Sequence, residues 1–120
     1  MDAQAELAKR KVPTSIDDLR QLRPRLTDHL AKVQAVDYEF AQVELAERLA
    51  TNLAAAIDGA EDLSNDDCAT LGAAIAYFVS SKDAESDLHS PIGLEDDAFV
   101  VNEAFSLIGR SDLAIDVLDP

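Results

Sequence analysis

Apolar residues recur at helical spacing along most of this chain. Leu19, Leu22, Leu26 and Leu30 step by three and four residues, the period of one helix face. Leu45, Leu49, Leu53 and Ile57 follow at strict four-residue steps, with Ala46, Ala50 and Ala54 beside them. A narrow stripe with small neighbours suits close packing of one helix on another. Cys68, Leu71, Ile75, Phe78 and Val79 form a third pattern, and Ala98, Val101, Phe105 and Ile108 a fourth. No strand pattern stands out against the helical spacing, so no strand is expected. The spacing predicts helices near 16–34, 38–58, 65–80 and 97–109.

Boundary residues sharpen these limits. Ser15 is a good N-cap, with Asp17 and Asp18 in the first turn facing the positive end of the helix dipole. Pro24 either kinks that helix or starts a new one at Arg23-Pro24. Asp37 caps the next helix and Gly59 ends it. Ser64 opens another, with Asp66 and Asp67 behind it. Asp96 or Asp97 starts the last long helix and Gly109 stops it. Ser111 caps a final turn that offers Leu113, Val117 and Leu118 for docking. Residues 3–11 suit a short helix without a strong apolar stripe, closed by Val12-Pro13. Segment 1–14 is therefore expected to be flexible or loosely docked. The expected fold is all-α, a small bundle of four to five helices in a single domain spanning 1–120. Helices 65–80 and 97–109 are expected to pack as a pair, with Phe78 and Phe105 in the core.

Charge changes the picture of partners. The net charge is −14. Residues 1–32 hold seven basic residues against five acids, and residues 33–120 hold three against nineteen. A body this acidic repels nucleic-acid phosphates and anionic lipid, and attracts a basic protein or a divalent cation. The basic segment Arg20–Lys32 is expected to lie against acidic surface of the same chain or of a second copy. The single cysteine, Cys68, excludes an internal disulfide and suits a reducing cytosol. The opening MDAQAELAKRKVP lacks the apolar run of a signal peptide. No run approaches the ~20 apolar residues of a membrane span. A cytoplasmic protein is expected.

The stretch Lys82–Asp97, KDAESDLHSPIGLEDD, joins two helical patterns and is long and acidic for a connection. From Asp83 it reads D-x-x-x-D-x-x-x-x-x-G-x-x-D-D, landing on Asp83, Asp87, Gly93, Asp96 and Asp97. This spacing, with Tyr77-Phe78 before it and Ala98 after it, resembles the signature of the YkvA-like domain of unknown function, found in many small bacterial proteins. The resemblance runs over about Leu71 to Ile108. Ser86 stands where that family has a proline before its second aspartate, and Ser81 or Lys82 where it has one before its first. The resemblance implies a helix–loop–helix core at 71–108 and no agreed catalytic residue.

Two chemistries fit the aspartates. They can cap helices, each cap contributing on the order of 1 kcal/mol, with Gly93 at a turn position of positive φ. Alternatively Asp83, Asp87, Asp96 and Asp97 can converge on Mg²⁺ or Ca²⁺ through carboxylate oxygens, although the spacing is not that of an EF-hand. Cys68 with His29 or His89 would make a nucleophile–base pair. Cys68, however, lies on an apolar face and reads as a small core residue, and His29, among charged neighbours, reads as exposed. The sequence carries no Gly-rich phosphate loop, zinc spacing or nucleophile elbow. The expected function is an acidic helical interaction module that binds a protein partner, as small inhibitor, immunity or accessory proteins do. The alternative is a metal-dependent enzyme or regulator using the 83–97 loop.

Overall fold

The computed structural model describes residues 2–35, 40–79 and 91–115, with the backbone alone at 35, 40–42 and 91–96. Among the described residues the fold is all-α. They hold five helices, α1 (Ala3–Arg10), α2 (Ile16–Ala35), α3 (Phe40–Asp58), α4 (Asn65–Val79) and α5 (Pro91–Leu107), with a 3₁₀ turn between α3 and α4 at Ala60–Asp62 and another after α5 at Ser111–Leu113.

The helix starts follow the expected chemistry. Asp2 caps α1 by accepting from the Ala5 N–H at 3.2 Å. Ser15 Oγ accepts from the Asp18 N–H at 3.1 Å, while Asp18 returns a carboxylate to the Ser15 N–H at 3.0 Å. That reciprocal pair satisfies two donors the helix leaves open. Ser64 does the same for the Asp67 N–H at 3.1 Å. Asp37 lies outside the described residues.

Pro24 sits inside α2, which runs unbroken from Ile16 to Ala35. The proline is exposed, so its ring sits on the solvent side of α2 rather than in the core. Leu19, Leu26 and Val33 are buried at seven-residue steps, and Leu22 and Leu30 pack beside them.

Helix α4 is the inner element. Every residue from Cys68 to Ile75 is buried, as is Phe78. It packs against α1, α2 and α5, while α3 packs against α2 and α5. Gly72 lets the α1–α2 connection lie close on α4: a Cβ there would meet Thr14 Oγ1 at 3.3 Å. Phe78 and Phe105 are both in the core, with Ala98, Val100, Val101 and Ala104 of α5.

The N-terminal segment, expected to be flexible or loosely docked, is held at several points. Leu7 is buried in the main core. Gln4 Nε2 donates to Glu103 at 3.1 Å, Lys11 pairs with Asp66 at 2.6 Å, and the Arg10 guanidinium lies over the Tyr77 ring at 4.7 Å. Leu7, with Ala3 at the core's edge and polar tethers, makes this contact, which is why no long apolar stripe announced it.

Helix α5 begins at Pro91, six residues before the expected start. Proline is pre-set for the first helical position, where its missing N–H costs nothing. Gly93 therefore lies within the helix rather than at a turn, and Asp96 and Asp97 fall in its second turn. The expectation that Asp96 or Asp97 starts this helix is corrected on that ground. Its far end closes as expected: Gly109 takes φ +75°, Gly109 N–H bonds Ser106 O at 3.3 Å, and Arg110 N–H bonds Phe105 O at 2.7 Å. This is the paired closure that a glycine in the left-handed region permits.

Candidate functional site

Of the four carboxylates considered as metal ligands, Asp83 and Asp87 lie outside the described residues, as does the side chain of Asp96. Asp97 is 1% exposed within α5. Among the described residues no three His, Cys, Asp or Glu side chains converge as a metal site would require. His89 also lies outside the described residues.

Two sequence readings of single residues come out differently. Cys68 is buried, as expected, and burial followed by the nearby Asp67 charge pushes its thiol above the usual range. His29 is corrected: it is 6% exposed, not a surface residue. Its ring meets Phe78 edge-on, 4.8 Å between centroids and 71° between planes. Burial, with a smaller contribution from the Lys32 charge, holds its pKa below the ordinary value because the charged form loses water. The helical position of His29, three residues after Leu26 and four before Val33, was the available signal. The charged neighbours in sequence point to other faces of the helix.

The basic segment of α2 meets acidic groups of the same chain. Arg20 pairs with Glu61 at 3.3 Å, and Arg23 pairs with Asp58. Nearby, a shallow groove of about 450 Å³ runs between the α1–α2 connection, α2 and α4, with Arg10 and Arg25 on its rim and Gly72 and Ala76 in its floor.

The outer face of α5 is the feature that stands apart. Residues 97, 98, 100, 101, 104, 105 and 108 are buried. Phe99 and Leu107 are 55% and 51% exposed. They lie at four-residue steps on either side of Glu103, so all three share one face. Two large apolar side chains thus flank the half-buried Glu103, whose carboxylate accepts from Gln4 of α1.

Beside this face, two asparagines hold the segment that follows α5. Asn102 Nδ2 donates to Ile115 O at 2.8 Å, and Asn102 Oδ1 accepts from Ile115 N–H at 2.8 Å. Asn52 Nδ2 of α3 donates to Leu113 O at 2.8 Å. Ile115 is buried and Leu113 packs partly against the core. Sequence reasoning passed over both asparagines. The signal was present: Asn disfavours helix interiors because it seeks backbone partners, and both sit mid-helix among apolar neighbours. Val117 and Leu118, expected to dock as well, lie outside the described residues.

Among known proteins, a family described as "Protein of unknown function (DUF1232)" matches residues 68–102. The match runs from Cys68 in α4 to Asn102 in α5 and takes in the acidic stretch between them. No curated protein and no solved structure matches the chain. No helix among the described residues is long and apolar enough to cross a membrane.

Proposed function

We propose that this chain is an acidic helical interaction module that binds a protein partner through the outer face of α5. The observation that carries the reading is the exposure of Phe99 and Leu107 on either side of Glu103. A partner fits this face if it presents apolar surface around a lysine or arginine. Apolar burial would supply affinity, and the charge of −14 would speed approach of a basic partner and exclude acidic ones. Inhibitor, immunity and accessory proteins use such surfaces, and that class is the role proposed here. The Asp83, Asp87, Gly93, Asp96 and Asp97 spacing supports placing the segment with YkvA-like domains, which adds no activity of its own.

The test is affinity capture from the native host at low and at moderate salt, with the wild-type chain and with Phe99→Glu/Leu107→Glu. The expected result is a basic protein that the wild type retains, that moderate salt weakens and that the double variant loses. Equal capture by both chains, or no salt-weakened partner, would overturn the reading.

A further inference from the structure

We propose that the groove between the α1–α2 connection, α2 and α4 binds a small organic carboxylate, its charge at the Arg10 and Arg25 guanidinium groups and its apolar body against Val12, Leu22 and the floor on α4. The groove encloses about 450 Å³, within the size range of small-molecule sites. None of its lining residues belongs to α5, so it is separate from the face proposed to bind a protein.

The space exists because two small residues stand where larger ones would fill it. Gly72 and Ala76 are four apart on α4 and share one face, which forms the floor. Val12 and Pro13, which follow α1, and Leu22 of α2 line the same groove. Val12 is 62% exposed, one of three large apolar side chains left open to water among the described residues. The other two, Phe99 and Leu107, sit on α5. An aliphatic group lying in the groove would cover Val12 and remove apolar surface from water on both sides of the contact.

Charge says what else the ligand carries. Acids outnumber bases 24 to 10 in this chain, and Arg10, Arg20, Arg23, Arg48 and Arg110 are each paired with a carboxylate. Arg25 is the exception: it is exposed and makes no ion pair with a described residue. Arg10 is held in place. Its Nη1 donates to the Glu6 carbonyl at 3.3 Å and to Glu6 Oε2 at 2.8 Å, and the guanidinium lies over the Tyr77 ring. Arg25 thus supplies uncompensated charge and Arg10 a fixed donor fork, the geometry that matches a carboxylate. Asp18 also lines the groove, its Oδ2 accepting from the Ser15 N–H at 3.0 Å. A second negative charge on the ligand would meet Asp18 and the potential of a chain at −14. That selects a monocarboxylate over a phosphate ester.

The experiment titrates isocaproate into the isotope-labelled full chain, with isocaproamide as the neutral comparison and isobutyl phosphate as the dianionic one. The expected result is movement of the Arg10 and Arg25 Nε–H resonances and of the Gly72 backbone amide in the millimolar range. Isocaproate should bind at least about tenfold more tightly than the amide, and more tightly than the phosphate ester. Arg25→Gln changes an exposed, unpaired side chain, so the fold should melt as the wild type does while affinity drops about tenfold. Arg48→Gln, on α3 and outside the groove, should bind as the wild type does. Ala76→Leu should abolish binding by filling the floor. Should that variant unfold, Val12→Asp replaces it, and affinity should fall because the apolar wall is lost and a repelling charge gained. The proposal is overturned if isocaproate moves none of those resonances, or if the amide or the phosphate ester binds as tightly. It is also overturned if Arg25→Gln and Arg48→Gln lose affinity equally, or if the folded Ala76→Leu or Val12→Asp chain keeps wild-type affinity.

Discussion

Asn102 and Ile115 exchange two hydrogen bonds of 2.8 Å, one side-chain amide against one residue's backbone N–H and C=O. The pair joins the middle of α5 to a segment thirteen residues later, with Ile115 at 5% exposure. Both groups are part-buried, so removing their partner leaves a donor and an acceptor poorly hydrated. Asn102→Ala should therefore cost about 1–3 kcal/mol in urea unfolding. Asn102→Asp should cost at least as much, because its carboxylate can still accept from the N–H but faces the Ile115 carbonyl without a donor. A loss under about 0.5 kcal/mol in both variants would mean that water substitutes freely.

Phe78 and Phe105 are fully enclosed by the α4–α5 core. Phe105→Ala and Phe78→Ala should each cost about 3–5 kcal/mol by lost burial and the cavity left behind. For Phe78 part of the loss is the edge contact with His29, so Phe78→Leu should cost more than Phe105→Leu. Denaturation midpoints at constant m-value decide it.

His29 gives the fold a pH dependence of known sign. Its folded pKa lies below the ordinary value of about 6.5 for an unfolded chain. The unfolded state then binds more protons as pH falls below about 6.5, so stability is full above that pH and declines below it. The decline ends below the folded pKa, and this one group contributes at most about 1.4 kcal/mol per pH unit. The contributions of Glu6 and Asp112, whose pKa values are lowered by their arginine partners, are lost only at more acidic pH, as it falls through the ordinary carboxylate range and below. Melting temperature should thus fall as pH drops below about 6.5 in the wild type. His29→Leu should flatten that decline, and an unchanged slope would remove His29 as the cause.

Arg20 and Arg23 reach from α2 to Glu61 and Asp58. All four groups are at least half exposed, so each pair is screened by water and salt and contributes about 0–1 kcal/mol. Raising ionic strength from about 0.01 to 0.15 M shortens the screening length from ~30 to ~8 Å. The double variant Arg20→Gln/Arg23→Gln should show a smaller change in melting temperature over that range than the wild type. An identical change in both would place the salt sensitivity elsewhere in this charge distribution.

Gly109 holds φ +75° with open space around its α-carbon. Gly109→Ala meets no clash, so its cost is backbone conformation alone, about 1–2 kcal/mol. Gly59→Ala meets the opposite situation: ordinary φ, but a Cβ 2.8 Å from Arg110 Nη1. A flexible guanidinium can move, so Gly59→Ala should be the milder of the two by thermal melting.

Helix existence and order were legible in the sequence because apolar spacing and caps act locally. Ser15, Ser64 and Gly109 are short-range devices whose partners lie within a few residues, and all three do what their neighbours in sequence require. The start of α5 was read late because aspartates and a proline compete as start signals, and Asp97 resembles a cap until its burial is known. Tertiary structure alone decided three things. It turned His29 inward against Phe78, docked α1 through Leu7, and brought Asn52 and Asn102 together around residues 113–115. Each depends on pairs of residues far apart in the chain. Helical period says which side of a helix is apolar, but only the packing of helix on helix sets which distant backbone a mid-helix asparagine will meet.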